Sequence, residues 1–199
     1  MTNDNEPISW AATGGGPLIA IEERHLRHWL GIDPPTDGRV IDTAFRWDDD
    51  PDAPATDYDR ACDVEDYAAL LTVGQGYGLL LSYECMTAWW PGQDRCGGIL
   101  ARWQYANNQA EVRKYMSMVP ELPLAEPAME WIVTDRKIYL FDSAYSGEDV
   151  LGGLVDDTIT FELCPGKYVV STCIYQPDTS TSLLLHRIDP AIKPHGCSR

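Results

Sequence analysis

Basic residues are scarce in this chain. Its 199 residues include 15 Lys and Arg against 31 Asp and Glu, a formal net charge of −16. Nucleic acid and anionic membrane surfaces would be repelled by that charge, whereas a cationic protein would be attracted. Long apolar runs are absent too, so no segment is expected to span a bilayer. The opening residues MTNDNEPISW carry neither a basic nor an apolar region of the kind that directs secretion, which predicts a cytoplasmic location. The six cysteines form no C-x-x-C pair; reduced thiols are expected and a structural zinc site is not. Gly14-Gly15-Gly16 precedes a predicted strand instead of joining a strand to a helix, and no Lys-Ser/Thr follows. It reads as a tight turn, not a phosphate loop. Ser143 lacks the G-x-S-x-G elbow of a serine nucleophile. His25 and His28 share one short predicted helix, but no companion ligand stands at metal-binding spacing. No cofactor is expected.

What is present is an ordinary folded composition, 44% hydrophobic and 23% charged, of a length that suits one domain. The pattern predicts an α+β fold, mainly antiparallel sheet with about three helices. The helices are expected over 22–30, from 56 or 57 to about 71, and from 108 to 119, closed by Pro120. Strands are expected over 8–10, 18–21, 40–47, 78–83, 86–90, 99–105, 129–133, 137–141, 158–163, 167–175 and 182–188. The proline-rich residues 120–128 mark a candidate internal boundary within a single domain spanning 1–199. The strand pairs 77–83 with 99–105 and 137–141 with 158–163 hint at two similar strand-rich halves sharing a core.

The charge is uneven. Residues 1–66 hold sixteen acids against five bases, which leaves −11 of the −16 in the first third. The densest part begins at Trp47. Asp48, Asp49, Asp50 and Asp52, with Pro51 and Pro54 among them, repel one another and exclude helix. The acids then continue through Asp57, Asp59, Asp63, Glu65 and Asp66 onto the predicted amphipathic helix. Two readings stand side by side: a solvated loop, or a rigidly displayed docking surface for a basic partner. Trp89 and Trp90 pose a similar choice. Side chains alternate along a strand, so one of them points away from the core, either to anchor a partner or to lie beneath the helix over 108–119. An enzymatic alternative would place Asp142, at the end of an apolar strand, with His186. Asp142 also suits a turn that bonds its own backbone. A general ligand-binding or scaffold module is a third possibility, for which Trp89 and Trp90 would be exposed.

Several segments, in order, resemble the immunity protein 21 family of bacterial polymorphic toxin systems. They are Trp10, Gly15-Gly16-Pro17-Leu18-Ile19 and the segment to Trp29, then Asp57-Tyr58-Asp59-Arg60-Ala61-Cys62 and Asp66-Tyr67. Val73-Gly74, Ala88-Trp89, Gly97-Gly98, Arg102-Trp103 and Phe141-Asp142-Ser143-Ala144 follow. Pro165-Gly166-Lys167-Tyr168 and Thr181-Ser182-Leu183-Leu184-Leu185-His186-Arg187 complete the set. The resemblance implies an α+β protein that binds and neutralises a cognate toxin and carries no catalytic residue. The acidic run Asp48–Asp52 falls outside the matched motifs.

Overall fold

Strand β1 (Leu18–Glu22) is buried along its whole length, because both of its faces are covered. Leu18 and Ala20 point into one apolar cluster, and Ile19 and Ile21 into another. That explains an unbroken apolar run where a half-exposed strand would alternate. β1 is flanked on either side by antiparallel partners, β3 (Gly76–Leu81) and β7 (Lys137–Asp142). With β2 (Ala68–Val73) and β8 (Ile159–Glu162) these make a five-stranded sheet of order β2-β3-β1-β7-β8. A second five-stranded sheet has the order β4-β5-β10-β9-β6. Its strands are β4 (Thr87–Pro91), β5 (Gly98–Tyr105), β6 (Met129–Val133), β9 (Gly166–Tyr175) and β10 (Ser182–Pro190). Every pairing is antiparallel. The computed structural model describes residues 8–36, 38–50, 52–92, 96–119 and 128–191.

Three apolar clusters order the layers. The largest lies between the sheets and takes Leu79 and Leu140 from one and Leu100, Trp131 and Ile188 from the other. The outer face of the first sheet is covered by a 3-10 helix (Glu23–His28) and by α1 (Asp57–Cys62) and α3 (Gly147–Leu151), through Leu26, Ala61 and Val150. The outer face of the second is covered by α2 (Gln109–Met116), through Val112 and Met116. A two-sheet sandwich with helices on both outer faces thus keeps every central strand dry.

The α+β class and the antiparallel sheets agree with the sequence reading, but there are four short helical segments among the described residues instead of about three. α1 ends at Cys62, where a helix was expected to run to about 71. Residues from Ala68 onward form a hairpin with β3 instead, in register from Ala68↔Leu81 to Val73↔Gly76 around Gly74 at φ +60. Ladder bonding to a buried strand outweighs the local 3.6 spacing of Tyr67, Ala68 and Leu71. Residues 40–47 form no strand because no strand lies beside them. The expected strand over 8–10 reduces to a single bridge, Ala11↔Thr87. Glu22 belongs to β1 and not to a helix. The proposed repeat has no counterpart in the pairing: β7 and β8 are neighbours, whereas β3 and β5 lie in different sheets. The candidate boundary at 120–128 falls largely outside the described residues, and both sheets take strands from each side of it.

Candidate functional site

α1 is short, yet its acids organise everything around it. Thr56 caps the helix and forms a capping box with Asp59: the Asp59 amide donates to Thr56 Oγ1 at 3.1 Å, and the Thr56 amide donates to Asp59 Oδ2 at 2.8 Å. The other oxygen of Asp59 accepts from the Trp47 amide at 2.7 Å. Asp57, fully buried, accepts from the Leu30 amide at 2.8 Å and pairs with Arg39 at 2.6 Å and Arg60 at 2.9 Å. Asp63 accepts from the Ala44 amide at 3.3 Å. Carboxylates therefore supply the acceptors that a neighbouring strand would have offered to residues 40–47. Burial lowers the pKa of the Arg60 guanidinium, opposed by the Asp57 charge and reinforced by Arg39. Arg60 also lies over the Trp29 ring, 5.1 Å from its centroid.

These contacts separate the acids that were grouped as one docking surface. Asp57 and Asp59 are buried and their oxygens are engaged within the protein, so neither presents a carboxylate to a partner. Asp63, Glu65 and Asp66 are exposed. Asp48, Asp49, Asp50 and Asp52 are exposed as well, on a loop that is folded into turns. The Asp50 amide donates to Asp48 Oδ1 at 2.9 Å, the Asp52 amide to Asp50 Oδ1 at 3.0 Å, and the Ala53 amide to the Asp50 carbonyl at 3.1 Å.

Trp89 and Trp90 are half-buried on opposite faces of β4. Trp89 stacks on Phe161 at 4.3 Å between the sheets, and Trp90 packs edge-on against Trp10 at 6.0 Å in the cluster beneath α2. Alternation holds, and the outward ring packs against Trp10 in the cluster that also holds Val112 and Met116 of α2. Three of the exposed apolar side chains sit in the long connection between the 3-10 helix and α1, Trp47 (67% exposed), Ile32 (56%) and Val40 (93%); others, such as Leu154 and Ile174, lie elsewhere. A tryptophan inside an acidic, proline-rich run was the available signal for Trp47.

Asp142 and His186 are not brought together by any hydrogen bond among the described residues. Asp142, at the end of β7, accepts from the Gly14 amide and the Ala144 amide, each at 3.0 Å. His186 is fully buried in β10 and shares a hydrogen bond of 2.8 Å with Thr172 through Nδ1. Burial lowers its pKa to about 3, and the Arg102 charge adds to the shift. Arg102, equally buried, donates to the carbonyls of Ser82 at 2.5 Å and Tyr83 at 2.6 Å, where Tyr83 holds φ at +70. Burial lowers its own pKa to about 10. This arginine ties the second sheet to the end of β3 in the first. Among the described residues no group of three or more His, Cys, Asp and Glu is placed to hold a metal ion, and no helix is long and apolar enough to cross a membrane.

A comparison with family models matches residues 9–181 to immunity protein 21. The chain belongs to that family. No curated protein and no solved structure matches it. Membership implies an immunity protein of a toxin system, with a toxin as its partner. Some of the motifs of this immunity protein meet at one end of the first sheet, while Ala88-Trp89, Arg102-Trp103, Tyr168 and residues 182–187 lie in the second. Ser143 donates through Oγ to the Pro17 carbonyl at 2.7 Å, and the Trp29 indole donates to the Ser143 carbonyl at 2.9 Å. Gly16 lies so close to Tyr58 that a Cβ there would stand 2.4 Å from the phenol oxygen. The Gly31 carbonyl accepts from the Tyr58 amide at 2.9 Å, and at φ +61 a Cβ on Gly31 would meet the Ala144 carbonyl at 2.3 Å. These contacts form a clasp that seats α1 on the sheet, and the matched range 9–181 includes the acidic run 48–52.

Proposed function

We propose that the protein neutralises its cognate toxin by stoichiometric binding, with no chemistry of its own and no cofactor. The partner is a basic toxin domain, and a nuclease fits best because its anionic substrate demands a positive cleft. The binding face is the acidic surface carried by Asp48, Asp49, Asp50 and Asp52, extended by Asp63, Glu65 and Asp66. Nucleic acid and membrane are not ligands, and the protein acts in the cytoplasm of the producing cell. The observation that supports this reading is the state of the acidic run: four carboxylates on the surface, set in turns, on a loop tied to α1 by Asp59. A one-sided field of this kind raises the rate of association with a basic partner. The experiment is to purify the protein with the toxin domain encoded beside its gene. A defined complex that abolishes the toxin's activity and weakens with salt is the expected outcome. A toxin that binds no better than it binds an unrelated acidic protein would overturn the reading.

A further inference from the structure

Between the start of α1 and the acidic run lies a cavity of about 260 Å³. Ile32, Pro34, Trp47 and Pro54 line it, with Asp48 and Arg46 among its polar residues. Trp47 and Ile32 are exposed large apolar side chains in a protein that otherwise buries its tryptophans at least in part. Trp47 is held in position from two directions: its amide is bonded to buried Asp59, and its ring meets Tyr58 edge-on at 5.7 Å. A cavity of about 260 Å³ has room for one long side chain.

We infer that this cavity seats a single arginine or lysine side chain of the toxin, with its aliphatic stem against Ile32 and Pro34 and its cation over the Trp47 ring beside Asp48. The inference rests on the toxin-binding reading and adds the anchor to it. The acids alone would attract any cation. The apolar walls select a cation with an apolar stem, and the aromatic face favours arginine. The surrounding charge agrees: Arg46 is one base beside the four acids Asp48, Asp49, Asp50 and Asp52. Central aromatic pockets with a charged rim are where interfaces concentrate their affinity.

The test is titration calorimetry of the wild-type protein, Trp47→Ala and Ile32→Ala against the toxin domain encoded beside the gene. It is followed by single Arg→Ala and Lys→Ala variants of the toxin measured against both wild type and Trp47→Ala. The expected result is a Kd raised at least about tenfold by Trp47→Ala and less by Ile32→Ala, with circular dichroism unchanged. One toxin base should lose its contribution when Trp47 is absent. If Trp47→Ala perturbs the fold, Ile32→Ala and the toxin variants carry the test. Wild-type binding that both truncations leave within about twofold overturns the cavity while the toxin-binding reading stands. Weakened binding with no toxin base coupled to Trp47 overturns the basic occupant. A wild-type protein that does not bind the toxin overturns the toxin-binding reading, and the occupant with it.

Discussion

Two groups of aspartates, a few residues apart in the chain, have opposite fates. Asp57 and Asp59 are buried and spend their charge on Arg39, Arg60 and backbone amides. Asp48, Asp49, Asp50 and Asp52 stand in solvent, where their only described polar contacts are short-range turns. By composition the two groups are one acidic stretch. By environment the first is scaffold and the second is available to a partner. Charge density predicts where a field exists; burial and hydrogen bonding decide which carboxylates belong to the surface.

The strongest test of that division is Asp57→Ala. It leaves two guanidiniums facing one another and the Leu30 amide without its acceptor. A loss of about 3 kcal/mol is expected, as for breaking a buried pair from one side. Urea unfolding measures it. A loss below about 1 kcal/mol would place Asp57 with the exposed group instead.

A second test asks whether burial, and not charge as such, is what registers in stability. His186 is neutral in the folded protein because burial holds its pKa near 3, against 6.5 for a free histidine. The unfolded chain therefore binds a proton between those values that the native state refuses. Its contribution to stability is complete above pH 6.5 and is lost as the pH falls towards 3. Between pH 7 and pH 4 the wild type should lose about 3 kcal/mol from this group. His186→Gln should flatten that part of the curve. Equal slopes in the two proteins would mean that His186 is hydrated and charged in the native state.

Asp59→Ala should cost less, about 1–2 kcal/mol, because it removes a capping partner and the acceptor for Trp47 but strands no charge. It links the two regions: the scaffold acid holds the loop that carries the exposed ones. Hydrogen exchange at the Trp47 amide should accelerate in this variant even where global stability is restored by osmolyte. If it does not, the loop is held by something other than Asp59.

Much of the second sheet is legible in the sequence. Met129–Val133 lies where it was expected, and β9 and β10 within a residue or two, because β-branched or apolar runs there are bounded by clear turns. In the first sheet β1, β7 and β8 lie within a residue of expectation, while β2 and the site are less legible. α3 went unread although Ser146 and Asp149 form a capping box like that of Thr56 and Asp59; five residues are too few to show periodicity. The run from Tyr58 to Leu71 satisfied helical spacing by coincidence, and its second half was decided by pairing with β3, a partner that local sequence does not reveal. The acidic stretch was visible, but its division was not. Which aspartates are buried depends on Leu30, Arg39 and Trp47, up to 27 residues away along the chain.

The smallest effect on stability, and the sharpest contrast with Asp57, is expected from changing Asp48, Asp49, Asp50 and Asp52 together to Asn. Asparagine keeps the side-chain oxygen that accepts from the amides of residues 50 and 52, so the turns persist and only charge is removed. Unfolding stability should move by no more than about 0.5 kcal/mol. Association with the toxin should slow by about tenfold in low salt, since surface charges act mainly on the approach, and dissociation should quicken only through the loss of the Asp48 charge beside the cavity. Raising the ionic strength shortens the screening length to about 8 Å near 0.15 M, and the difference between the two proteins should shrink accordingly. Stopped-flow rates across a salt series read this directly. Identical rates at low salt would make the run a solvated loop and return the steering role to Asp63, Glu65 and Asp66.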